Sequence, residues 1–204
     1  MKKTLRFSLV TILILLLVPI YGCSIGPDAG AKDAVNKFFT SVQSVDYKAY
    51  NSVTSKFAQT PFSQFLIDHN VEDHYSDVKS DVRQKYISAV KNIGKELVQS
   101  YKITQTEKVS EVKYKVTAHI VYLTTSDYTN AWAKAGGNSF FYEALSETES
   151  MNYADQQDYF AKSDAEFLAN EVLPVMKNMK PSEDAPVFTV EKKDGSWIIQ
   201  EMEF

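Results

Sequence analysis

The chain has 204 residues, 44% of them hydrophobic and 13% aromatic, with 22 basic and 26 acidic side chains. A formal charge of −4 excludes the broad basic surface that nucleic-acid affinity needs, and a single cysteine, Cys23, excludes a disulfide-stapled fold. What remains is a globular chain long enough to stand on its own core.

The chain opens Met1-Lys2-Lys3-Thr4-Leu5-Arg6, three positive charges and no acid, followed by an apolar run from Phe7 to Val18. Spanning a bilayer takes about 20 apolar residues, so this run suits a cleavable signal rather than a permanent helix. Pro19 breaks it, and Ile20-Tyr21-Gly22-Cys23 follows. This tetrapeptide resembles the bacterial lipobox, with an aliphatic residue three before the cysteine and a small residue just before it. Tyr21 is bulkier than the usual second residue. The resemblance implies cleavage between Gly22 and Cys23 and a diacylglyceryl thioether on Cys23. The partner so implied is the lipid bilayer, at the outer face of the cytoplasmic membrane. A mix rich in Lys, Asn and Tyr with two Arg suits a Gram-positive cell surface. Residues 1–22 are then a signal peptide, and their removal leaves 19 basic and 26 acidic residues, a formal −7. Such a domain is not drawn to anionic lipid by charge. Two acyl chains hold stably where one does not.

Residues 23–30 form a short tether with a reach of about 25 Å, and residues 31–204 read as one α+β domain. Val35, Phe38, Phe39 and Val42 predict a helix over 31–45. Asp46 is a good N-cap for a second helix through Phe57. Pro61 starts a short third segment with Phe62, Phe65 and Leu66 on one side. A longer helix over 76–98, capped by Ser76 or Asp77, carries the stripe Val78, Val82, Ile87, Val90, Ile93 and Leu97. The pattern then alternates over 101–109 and 113–123, an antiparallel pair. Tyr114, Val116, Ala118, Ile120 and Tyr122 share one face, with Lys113, Lys115, Thr117 and His119 on the other. In 126–152, Gly136-Gly137-Asn138 is a turn, and Trp132, Phe140, Phe141, Tyr142 and Leu145 are expected to dock on the domain. A helix over 153–179 is expected to kink at Pro174. Residues 181–186 read as a loop. Strands over 187–192 and 197–204 flank Asp194-Gly195, a tight-hairpin turn.

Helices first, then antiparallel strands ending in Asp194-Gly195-x-Trp197-x-Ile199, resemble the nuclear-transport-factor-2-like fold. Ala31-x-x-Ala34-Val35-x-x-Phe38-Phe39 followed by Asp46-Tyr47-x-x-Tyr50 resembles its first two helices. The resemblance implies a curved antiparallel sheet wrapped round N-terminal helices as a cone, with Trp197 and Ile199 facing inward. It does not cover 126–180, a helical insertion between strand pairs. That fold hosts enzymes, binders and scaffolds alike, so it does not give the function.

The candidate sites are weak. His69 and His74, with Asp68, Glu72 and Asp73, are the one His/acid cluster, but the two His stand five apart and no HExxH is present. A polar loop is the preferred reading, and no metal or cofactor is expected. His119 shares its strand face with lysines and is expected in solvent. Ser76-x-x-Lys79 and Ser110-x-x-Lys113 match the core of a serine–lysine motif without its companion elements. Glu143, Glu147, Glu149, Asp155 and Asp158 are an acidic stretch without a calcium-loop spacing. The aromatics outnumber what a small core needs, and Phe38, Tyr50, Tyr114, Tyr122 and Trp197 are candidate lining for a pocket inside the cone, with a filled aromatic core the preferred alternative.

The leading functional reading is a membrane-anchored, non-catalytic binding or interaction module, whose partner is a small apolar ligand or an envelope protein. The alternative is a cone-fold enzyme working by general acid–base chemistry in an aromatic-lined pocket, with Glu201 as a candidate acid if Trp197 and Ile199 face the cone, since residue 201 shares their strand parity. A structural partner of another envelope protein would show an exposed apolar patch, with 126–152 its expected place.

Overall fold

A computed structural model describes residues 26–56, 58, 60–70 and 75–204. The expectations for residues 1–25, Gly22 and Cys23 included, and for Phe57, Glu72, Asp73 and His74 lie outside the described residues. The order of elements is α+β, helices first and then an antiparallel sheet, with further helices inserted between its strands.

Helix α1 (Ala29–Ser44) buries Ala31, Ala34, Val35, Phe38, Phe39 and Val42. These positions recur every three or four residues and form one apolar stripe. The helix ends at Val45, whose backbone turns left-handed (φ 53°) while its N–H reaches back to the last turn. Asp46 then caps α2 (Tyr47–Asn51), accepting the Ala49 N–H at 2.7 Å. The second helix stops at Asn51, short of the expected Phe57, because the sheet competes for its backbone. Ile199 N–H donates to the Val53 carbonyl at 2.8 Å, and Ser55 N–H to the Ile199 carbonyl at 2.8 Å. Thr54 thereby forms a parallel bridge with Ile199, a pairing that suits β-branched residues. Helix α3 (Ser63–Asp68) is the short segment expected after Pro61.

Helix α4 (Ser80–Leu97) begins later than expected and runs without a loop into β1 (Val98–Ser110). Its Gly94 allows a close approach to α1. A Cβ there would lie 2.7 Å from the Val42 carbonyl oxygen and 2.8 Å from Val45 Cγ2. Strand β2 (Lys113–Tyr122) pairs antiparallel with β1 on one side. On its other side it pairs with β4 (Val187–Lys193) at residues 113–117 and with β3 (Ser182–Asp184) at residues 120–122. Strand β5 (Ser196–Glu203) completes an open sheet of five strands. As expected, Tyr114, Val116, Ala118, Ile120 and Tyr122 form one buried face of β2. The β4–β5 turn has positive φ at Asp194 (49°) and Gly195 (84°), the hairpin geometry the Asp-Gly pair favours. A bulge in β5 leaves Gln200 without a partner, since Thr189 pairs with Glu201 and Val190 with Ile199. The extra residue changes the parity of the strand. Ile199 stays inward, Met202 pairs with inward Phe188, and Glu201 is exposed.

Between β2 and β3 lie α5 (Thr125–Lys134), α6 (Gly137–Thr148), α7 (Tyr153–Phe167) and α8 (Leu173–Lys177). Thr124 and Asp127 form a capping box at α5, and Asn152 caps α7. The expected kink at Pro174 takes the form of a π-helical turn, Leu168–Val172, that joins α7 to α8. Pro174 has no N–H for the Asn170 carbonyl, and the wider turn relieves the clash of its ring with that residue. Segment 181–186, read as a loop, contributes β3.

Candidate functional site

The space between α1 and the sheet is occupied by side chains. Phe38 is fully buried, and its ring lies 5.2 Å from Phe39, 5.5 Å from Tyr50, 6.2 Å from Phe62 and 5.4 Å from Phe188. Edge-on and tilted contacts of this kind each add to the burial energy. Tyr114 packs edge-on against Trp197 at 5.4 Å, and Tyr122 lies between Phe62 and Phe204. Trp197 is half-buried under the start of α1. A Cβ on Gly30 would fall 2.1 Å from its indole nitrogen, so glycine alone leaves room for the ring. Of the five aromatics singled out as pocket lining, Tyr50 edges an open cleft, about 700 Å³ between α2 and α3. Its phenol closes a ring of hydroxyls with Thr60 and Ser63, each 2.8 Å away.

A second cleft, about 290 Å³, opens where α3, α4, α5 and α7 meet. His69 follows the end of α3, Tyr86 comes from α4, Tyr128 and Trp132 from α5, and Asp164 from α7. His69 Nδ1 lies 3.0 Å from the Tyr86 hydroxyl and Nε2 2.9 Å from the Tyr128 hydroxyl. In a neutral imidazole, one nitrogen donates to one phenol and the other accepts from the second. Tyr75, whose backbone is left-handed (φ 54°), donates its hydroxyl to Asp164. Burial, and then the nearby Asp164 carboxylate, hold the Tyr75, Tyr86 and Tyr128 phenols above their ordinary range. The cleft thus brings one imidazole, three phenols and the Asp164 carboxylate together. Its chemistry is nonetheless mostly internal, because both ring nitrogens of His69 are engaged by phenols and the ring rests on Phe65 at 4.7 Å. A general base needs a nitrogen within reach of a substrate proton.

The remaining candidates are placed apart. His119 faces solvent on the outer side of β2 and pairs with Glu183 at 2.8 Å. Ser76 donates to Asp77, while Lys79 pairs with Asp158 on α7 at 2.6 Å. Ser110 and Lys113 are register partners at the tip of the β1–β2 hairpin. Glu201, the candidate acid of the enzyme alternative, is turned outward by the bulge at Gln200. Among the described residues no group of three His, Cys, Asp or Glu side chains could hold a metal ion.

An exposed apolar patch, which the third reading placed on 126–152, lies on α6, although its side chains were also expected to dock on the domain. Trp132 and Phe140 dock as expected, both on Phe167, at 4.8 Å and 4.3 Å. A Cβ on Gly137 would fall 1.9 Å from the Trp132 indole nitrogen, so the first residue of α6 must be this small. Phe141, Tyr142 and Leu145 do not dock. They are 52%, 71% and 41% exposed, and Tyr153 at the start of α7 is 70% exposed. The reason is helical phase. Gly137, Phe140, Ala144 and Thr148 form the inward stripe at steps of three and four, with Phe141 and Leu145 along one flank of it and Tyr142 on the far side. Four large apolar side chains in solvent on one segment exceed the scattered exposure ordinary on a folded domain.

Burial, then a hydrogen bond to Asp184, pushes the Tyr122 phenol up to about 12. Phenols held above the unfolded value of about 10 stabilise the fold fully below pH ~10 and lose that contribution as pH rises through the folded value. Alkaline titration is therefore expected to show two classes of tyrosine. Exposed phenols ionise first with the fold intact, and a second group ionises together with loss of circular dichroism as pH climbs from about 10 toward 12. One uniform tyrosinate transition near the ordinary value, without unfolding, would contradict the burial described. Comparison with protein-family models, with curated proteins and with solved structures finds no match for this chain.

Proposed function

We propose that this protein is an envelope lipoprotein, anchored through a diacylglyceryl group on Cys23, whose folded part is a non-catalytic interaction module. The anchor is supported by the sequence Ile20-Tyr21-Gly22-Cys23 after a short apolar run, and by Cys23 being the one cysteine in the chain. No helix among the described residues is long and apolar enough to cross a membrane. Helix α1 starts at Ala29, which leaves five residues between it and Cys23, a reach of about 17 Å. The domain is then held close against the outer face of the bilayer. The order of helices and strands and the inward Trp197 and Ile199 favour a nuclear-transport-factor-2-like cone for its fold.

The observation that carries the interaction reading is a filled helix–sheet interior beside an exposed aromatic surface on α6. A binder of small apolar ligands wants the reverse. Mass spectrometry of the protein extracted from membranes tests the anchor. The expected mature chain starts at Cys23 and carries the mass of the lipid, and Cys23→Ala loses both lipid and cleavage. An unmodified cysteine, or a wild-type chain starting at Met1, would sink the lipoprotein reading.

A further inference from the structure

We propose that the cleft between α2 and α3 binds a short neutral saccharide without cleaving it. The inference goes beyond the interaction reading above, and neither the anchor nor the α6 surface is needed for it. Two helical faces make the cleft. Tyr47, Tyr50 and Asn51 stand three and four apart on α2, and Ser63, Gln64 and Ile67 share one side of α3 at the same steps. About 700 Å³ lies between them, inside the range of roughly 300–1,000 Å³ that small-ligand sites occupy. The walls are fixed before any ligand arrives. Asp46 caps α2, Thr54 donates its hydroxyl to the Tyr50 carbonyl at 2.9 Å, and β5 holds the backbone of residues 53–55.

The chemistry of the lining selects the ligand. The hydroxyl oxygens of Tyr50, Thr60 and Ser63 form a closed ring with edges of 2.8, 2.8 and 2.9 Å. Each edge can run in either sense, because a hydroxyl both donates and accepts. A ligand hydroxyl has the same double capacity and can join the ring either way. A carboxylate only accepts and an ammonium group only donates, so neither uses such a ring fully. The Asn51 amide at the rim adds a donor and an acceptor. Neither that amide, nor the Tyr47 hydroxyl, nor the Lys56 ammonium has a partner among the described residues. Beside these polar groups stand the Tyr47 ring and Ile67, which is 51% exposed. They offer apolar surface to the C–H face of a sugar. Among the described lining residues there is no Asp, Glu or Arg, and Lys56 is the one charge. A cation therefore finds no counter-charge, and an oxyanion finds one exposed lysine. Glycoside cleavage uses a pair of carboxylates flanking the bond, so this lining holds a sugar and does not cut it.

The test titrates the full chain in detergent with three neutral trisaccharides (maltotriose, cellotriose and triacetylchitotriose) by calorimetry. At least one is expected to bind, with the same affinity at low and high salt, because the ligand carries no charge. Tyr50→Phe, which takes one oxygen from the ring of hydroxyls, and Asn51→Ala should each weaken binding by roughly three- to tenfold. Asn51 is exposed, so circular dichroism should show that variant folded even if Tyr50→Phe loosens the structure. Lys56→Gln should leave the affinity nearly unchanged. Failure of all three sugars to bind overturns the proposal, and so does binding that Asn51→Ala and a folded Tyr50→Phe both leave intact. Inorganic phosphate that displaces the sugar, with binding lost in Lys56→Gln and at high salt, would make the cleft an anion site and overturn it as well. Shorter sugars appearing during the titration would overturn the claim that the cleft does not cleave.

Discussion

Phe38→Ala is expected to destabilise the protein by about 3–5 kcal/mol, the usual cost of emptying a packed aromatic site. Phe38 is fully buried and touches four other aromatic rings from α1, α2, β4 and the residue before α3. Those rings belong to separate elements whose backbones are tied to the sheet or to helix caps, so they can close only part of the space left. Domains of this size are stable by roughly 5–15 kcal/mol, so about a fifth or more of the margin is at stake. The thermal midpoint should fall by on the order of 10 °C. Phe141→Ala, on the exposed side of α6, is the matched control and should change stability by less than about 0.5 kcal/mol. Urea unfolding of the two variants decides the matter. If Phe38→Ala cost no more than Phe141→Ala, Phe38 would line an open pocket rather than fill a core.

The second large effect concerns Gly94, and here two contributions have opposite signs. Replacing a glycine inside a helix by alanine ordinarily gains about 1 kcal/mol, because alanine has less backbone freedom to lose. The added Cβ would, however, stand 2.7 Å from the Val42 carbonyl oxygen, 2.8 Å from Val45 Cγ2 and 3.0 Å from the Gln43 carbonyl oxygen. Two of these are backbone atoms in the last turn of α1, which cannot rotate aside as a flexible side chain does. Relief requires α1 to move off α4, and overpacking of this kind costs about 1–3 kcal/mol. The contact cost should win, so Gly94→Ala is expected to lower the midpoint of chemical unfolding. An unchanged or raised midpoint would mean that the two helices do not approach this closely.

Local patterns were legible wherever one local cause decides the structure. The stripe of α1, the Asp46 cap, the alternation of β2 and the Asp194-Gly195 turn each follow from chemistry within a few residues. The departures come from distant partners. Helix α2 ends at Asn51 because β5 supplies hydrogen bonds to residues 53–55, and nothing near Asn51 announces that. The bulge at Gln200 has no local turn signal, yet it reverses the parity on which the inward reading of Glu201 depended. The candidate site divides the same way. A sequence shows how many aromatics there are but not whether they fill a space or line it. The outward phase of Phe141, Tyr142 and Leu145 was hidden until the inward stripe of Gly137, Phe140, Ala144 and Thr148 was known. Two of those four residues are a glycine and a threonine, which apolar periodicity does not count.

The two glycine–tryptophan contacts have a practical consequence. The chain contains two tryptophans, one against Gly30 at the start of α1 and one against Gly137 at the start of α6. They are separate optical probes, one packed at the start of α1 and one at the start of α6, each held in place by a neighbour that has no side chain. With Trp132→Phe, the emission that remains should respond to events where α1 meets the β4–β5 hairpin. With Trp197→Phe, it should respond to changes where α5, α6 and α7 pack together.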